Sequence, residues 1–126
     1  MDADIHGLIA VAQAYLDAAY DMDASRFASL FQPTSSVTKL DEAGAASAMP
    51  IEAWLAAVRA LTSPRQRGEE RADEILSVQV IGGLGVIALK LRVEPNLFTD
   101  LLSCAKVGSA WKIVQKVTTS RPARTP

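Results

Sequence analysis

The chain has 126 residues, 49% of them hydrophobic, with a formal net charge of −1, which suits one domain with a single sizeable core and leaves no room for two. The balanced charge offers no basic field for nucleic acid or anionic lipid, and no apolar run reaches the length of a membrane span. One cysteine, Cys104, excludes an internal disulfide and leaves too few soft ligands for a structural zinc site, so neither metal nor cofactor is expected and a reducing, cytoplasmic compartment is the simpler reading.

The N-terminus, "MDADIHG", is acidic where a signal peptide would be basic. From Ile5 to about Tyr20 apolar residues recur every three or four positions, the pattern of a first long amphipathic helix. Asp23 stands where an N-cap would open a second, short helix carrying Phe27, Leu30 and Phe31, and Pro33 is expected to end it. "SSVTKL" reads as a strand, and "DEAGAASAMP" as a loop over its full length. Pro50 in a first turn, with Glu52 inside it, opens a third helix through about Leu61 that carries Ile51, Trp54, Leu55 and Val58 on one side. "RQRGEERAD" is polar, either a loop or the exposed start of a strand, and the register of 65–74 stays open.

The remainder reads as two β-hairpins. One is "ILSVQVI" and "LGVIALKLRV" around Gly82-Gly83; the other is "NLFTDLLSCAKV" and "AWKIVQKV" around Gly108-Ser109. Counting from the second turn pairs Cys104 with Ile113, Leu102 with Gln115 and Asp100 with Val117 on a mostly apolar face. Leu101 with Lys116, and Ser103 with Val114, then fall on the opposite, more polar face. Counting from the first turn groups Leu76, Val78, Ile87, Leu89 and Leu91. A curved antiparallel sheet covered by three helices from the N-terminal half is an α+β domain, expected over 1–119 with a flexible tail over 120–126.

The segments "AQAYLDAAYDMDASRFASLFQP", "MPIEAWLAAV", "SPRQRGEERADEIL" and "FTDLLSCAKVGSAWKIVQKV", in this order and spacing, resemble the nuclear transport factor 2-like superfamily, specifically its SnoaL-like branch named for lumazine binding. The resemblance covers nearly the whole chain. It implies a cone-shaped roll of the cystatin-like kind, with a pocket at the wide end and often dimers through the outer sheet face. In ketosteroid isomerases of the same superfamily a helix-one tyrosine donates a hydrogen bond to an oxyanion, and Tyr15 matches its position. The isomerases' carboxylate base falls at Lys39 here, a departure that removes support for that reaction. Asp41, two residues on, substitutes only if the strand register allows.

Read as residues, Asp100 and Gln115 are the polar groups on the otherwise apolar hairpin face. A carboxylate there must reach the rim, face a ligand or meet a cation such as Arg59, because unpaired burial costs several kcal/mol. Facing a cavity, Asp100 is expected to have a raised pKa and to serve as a general acid or base. His6 lies near the helix start and is expected to be exposed, and Cys104 is expected to be an inert buried thiol.

Three functions compete. The leading one is a domain that binds a small hydrophobic or aromatic molecule in an enclosed, largely apolar pocket lined by Tyr15, Trp54, Phe98, Asp100, Leu102, Trp111, Ile113 and Gln115. The second is a cofactor-independent isomerase, cyclase or dehydratase with Asp100 and Tyr15 catalytic. The third is a non-catalytic interaction module. A homodimer is expected through the outer sheet face around Leu101, Ser103, Ala105 and Val114, where small and apolar side chains form a strip.

Overall fold

The computed structural model describes residues 2–123, and its first element is helix α1, Asp2–Asp21. Leu8, Val11, Ala12, Tyr15, Leu16 and Ala19 form its buried stripe, the three-to-four spacing that keeps one helix face on a core. The helix stops where Met22 takes a left-handed φ of 46°, a conformation closed by Asp23 N–H donating to the Ala18 carbonyl at 3.0 Å. Asp23 then caps α2, Ala24–Leu30, accepting from Arg26 N–H at 3.2 Å. Seven residues cannot hold a helix alone. Here α2 is held by Phe27, whose ring meets those of Tyr15 at 5.1 Å and Trp54 at 4.8 Å, both edge-on.

Strand β1, Phe31–Leu40, begins directly after α2. Pro33 therefore sits inside a strand rather than ending a helix, in the irregular stretch between Phe31 and Ser36 where pairing with the neighbouring strand is interrupted and a residue without N–H is tolerated. The expected ten-residue loop is half as long. Asp41 staples a tight turn by accepting from the N–H groups of Ala43 and Ala45, both at 2.9 Å, and the chain returns as β2, Ala46–Pro50. Helix α3, Ile51–Arg59, buries Ile51, Leu55 and Val58. Residues 64–68 form turns, and the chain enters β3 at Asp73.

Strands β3 (Asp73–Ile81), β4 (Leu84–Val93), β5 (Asn96–Val107) and β6 (Ala110–Pro122) complete a six-stranded sheet of order β2-β1-β6-β5-β4-β3. All neighbours are antiparallel except β1 and β6, which run parallel. The sheet wraps the three helices. Residues 120–122, read as tail from the sequence, pair with 96–98 of β5, and residues 124–126 lie outside the described residues. Helix α1 rests closely on the sheet at two glycines: a Cβ on Gly85 would lie 2.4 Å from a Leu8 methyl, and one on Gly7 2.8 Å from the Trp111 ring.

Two β-bulges set the faces. Between β5 and β6, Cys104 pairs with Ile113 but Ser103 pairs with Gln115, so Val114 is the extra residue. Beyond it every β6 side chain changes face. Leu102 pairs with Lys116 and Asp100 with Thr118, which corrects the counted pairs Leu102–Gln115 and Asp100–Val117. Between β3 and β4, Ile75 pairs with Leu89 and Ser77 with Ala88. Leu76 is the residue bulged out and exposed, and Ile75 takes the core position expected for it.

Candidate functional site

The β5–β6 bulge brings Lys116 and Thr118 beneath helix α1, where the counted register had placed Gln115 and Val117. Asp100 is 2% exposed, and Lys116 and Thr118 each 5%, so their polar atoms must satisfy one another. Asp100 Oδ1 accepts from the Thr118 hydroxyl at 2.6 Å, and Oδ2 accepts from the Tyr15 hydroxyl at 2.7 Å. Lys116 Nζ lies 3.7 Å from that same Oδ2, an ionic contact longer than a hydrogen bond. The counter-ion of Asp100 is therefore Lys116. Arg59, the cation suggested by the sequence, is exposed on α3.

Two rings complete the setting of the ammonium, which lies 3.9 Å from the Trp54 ring centroid and 5.3 Å from that of Tyr15, within cation–π range. Burial pushes the Lys116 pKa below its ordinary value, an effect the Asp100 charge opposes and the nearby Lys39 charge reinforces. Tyr15 moves the other way. Its hydroxyl is desolvated and faces the Asp100 carboxylate, so its pKa rises well above the ordinary value, and it stays a proton donor.

A cavity of about 120 Å³ opens onto this group between α1, α3 and the sheet. Its walls are apolar: Met22, Phe27, Trp54 and Val58 on the helical side, Leu91, Val93 and Phe98 on the sheet, with Leu61 exposed at the rim. Tyr15, Asp100 and Lys116 supply its polar atoms. Of the eight residues expected to line one pocket, the cavity brings together Tyr15, Trp54, Phe98 and Asp100. Leu102, Trp111 and Ile113 are instead buried in the core cluster. Gln115 is turned to the outer face by the bulge, where it accepts from Ser36 Oγ at 2.8 Å and donates to Thr38 Oγ1 at 3.2 Å.

Lys116 is the residue that sequence reasoning missed. Strict alternation put it outside with Lys112, and the mark of the bulge, the adjacent apolar pair Ile113-Val114, is not specific. Lys39, at the position matching the isomerases' base, is exposed. Asp41 is engaged in its turn. Cys104 is buried, and desolvation pushes its thiol up to about 12, which removes it as a nucleophile near neutral pH. A wider, open cleft between α1 and β3 includes the ion pairs of Arg71 with Asp17 at 2.8 Å and with Asp73 at 2.7 Å.

An open curved sheet wrapped on three helices, with a cavity between the layers, defines a nuclear transport factor 2-like domain. Solved structures share that fold. A nuclear transport factor 2-like protein of unknown function from Silicibacter pomeroyi DSS-3 is similar at a TM-score of 0.82 and 22% identity, over 95% of this chain and 98% of that one. One from Shewanella baltica OS155 is similar at a TM-score of 0.84 and 18% identity, over 96% of each chain. A ketosteroid isomerase-like protein from Erwinia carotovora atroseptica SCRI1043 is similar at a TM-score of 0.71 and 14% identity, over 100% of both chains. At these identities the likeness is one of fold. The chain belongs to the family described as "Putative lumazine-binding", whose model matches residues 3–118. No curated protein matches the chain.

Proposed function

We propose that the protein binds a small, ring-shaped, uncharged molecule in the cavity under α1, with a carbonyl or similar acceptor of that molecule meeting Lys116 Nζ. The observation that carries this reading is the position of Lys116: a buried ammonium at the polar end of an apolar cavity, stacked on Trp54, whose counter-ion is at 3.7 Å rather than in hydrogen-bond contact. An acceptor can join it there without displacing Asp100. A ligand carboxylate would have to approach the Asp100 carboxylate as well, so a neutral acceptor suits the site better.

The volume sets the size. About 120 Å³ is somewhat below the ~150 Å³ of an engineered apolar cavity that accepts benzene, so one ring fills it and a substituent has to reach Lys116 or pass the rim. The family description, which names lumazine, agrees in being a flat, carbonyl-bearing ring system, but its two fused rings exceed the single ring this volume holds. Thermal shift with benzamide, toluene and benzoate tests the reading. Benzamide should stabilise most, and no shift with any of the three would contradict it.

An isomerase-type reaction, with Asp100 moving a proton of the ligand and Tyr15 donating to its oxyanion, fits less well. The single Tyr15 O–H is committed to Asp100 at 2.7 Å and would have to leave a carboxylate to serve a ligand. For assembly we propose the homodimer through the outer sheet face. Leu101 is 45% exposed and its β6 partner Val117 is 39% exposed, flanked on β4 by exposed Leu84 and Val86, an apolar strip in keeping with a second copy.

A further inference from the structure

We propose that Lys116 is a nucleophilic amine that captures a small aromatic aldehyde or ketone as a Schiff base inside the cavity. The proposal rests on the binding reading above and gives its carbonyl a chemical fate.

Geometry supplies what the reaction needs. The amine is buried at the polar end of an apolar cavity sized for one ring, so a bound carbonyl carbon is brought to Nζ and bulk water is displaced. Asp100 Oδ2, 3.7 Å from Nζ, is the neighbouring base and takes the proton once the two draw into hydrogen-bond contact. Burial, reinforced by the Lys39 charge, makes a larger share of the amine neutral near pH 7 than in a solvated lysine, while the Asp100 charge limits the effect.

The step balances without any co-reactant. Asp100 takes one proton from the ammonium. The freed electron pair forms the C–N bond as the C=O π pair moves to oxygen, and a second nitrogen proton passes to that oxygen to give a neutral carbinolamine. Asp100 then returns its proton to the hydroxyl, the C–O bond breaks and water departs. The sum is an ammonium plus a carbonyl giving an iminium plus water. The charge on nitrogen is the same before and after, so the Trp54 ring and the Asp100 carboxylate serve the product as they serve the resting amine. Tyr15 holds Oδ2 by its 2.7 Å bond, and is a positioning residue for the base.

The test uses the intact protein at pH 7 with benzaldehyde and cyanoborohydride, which fixes an imine as a benzyl amine, followed by peptide mapping. The other lysines, Lys39, Lys90, Lys106 and Lys112, are internal controls. Labelling of Lys116 at least about tenfold faster than any of them, as expected when a carbonyl is held beside a partly neutral amine, supports the proposal. Excess benzamide, which fits the cavity but forms no imine, should suppress it. Lys116→Arg should lose the fast label while the slow background persists. Uniform labelling, or Lys116 slower than the rest, overturns the proposal. If benzamide still raises the melting temperature in that case, the binding reading survives; if it does not, both fall.

Discussion

Lys116 on β6 lies with its Nζ 3.9 Å from the centre of the Trp54 ring on α3, joining the sheet to the helix that walls the cavity. The contact exists because Val114 is an extra residue in β6. Without that bulge the same lysine would stand on the outer face beside Leu101.

The first consequence concerns stability. Asp100→Asn removes the counter-ion of a buried ammonium, and loss of one partner of such a pair costs about 3 kcal/mol. We expect a lower melting temperature in differential scanning calorimetry. Lys116→Met added to Asp100→Asn should recover most of the loss, since the pair is then removed whole. Additive losses in the double variant would show that the two residues do not act as a pair.

Alkaline titration should show two opposed effects. Lys116 has a folded pKa below its ordinary 10.5, so the unfolded chain holds more protons between the two values and stability rises with pH across that window. Tyr15 has a folded pKa well above its ordinary 10.0, so above that value the folded chain holds the extra proton and stability falls as pH climbs further. Urea unfolding from pH 8 to 11.5 checks this. In Tyr15→Phe the fall above pH 10 should be smaller, and the baseline stability lower by about 1.5–3 kcal/mol for the lost hydrogen bond to a charged group.

Cys104, buried with its thiol pushed up to about 12, should resist alkylation in the folded state. Iodoacetamide at pH 8 is expected to label it only in denaturant. Rapid labelling of the native protein would mean that β5 opens locally or that the thiol is reached from the cavity.

For the outer face, Leu101→Lys should convert the proposed dimer to a monomer in light scattering at micromolar concentration while leaving the melting curve of the cavity-bound state cooperative. The side chain is 45% exposed, so a lysine is tolerated in an isolated subunit. A wild type already monomeric would remove the dimer.

Much of the fold was legible because periodicity is a local signal. The stripe on α1, the Asp23 cap and the two glycine turns each follow from neighbouring residues, and β4 and β5 match their expected bounds. The family resemblance supplied the cone that periodicity alone does not give. The site was half legible. Tyr15, Trp54, Phe98 and Asp100 sit on elements whose register the turns or the helix fix. Lys116 and Gln115 exchanged faces because a bulge is a decision of the whole sheet. Both bulges fall at adjacent apolar pairs, Ile75-Leu76 and Ile113-Val114, yet Leu101-Leu102 is such a pair in a regular ladder. The pattern permits a bulge without specifying it.

The two tryptophans provide the most direct test of the cavity as the binding site, because Trp54 lines it and Trp111 is packed in the core away from it. Their indole N–H signals, assigned with Trp54→Phe and Trp111→Phe, can be followed by ¹⁵N-edited NMR during titration with benzamide. A saturable shift of the Trp54 signal with Trp111 nearly unmoved is expected, with a weaker response in Lys116→Met. Movement of neither signal, or of Trp111 alone, would contradict it.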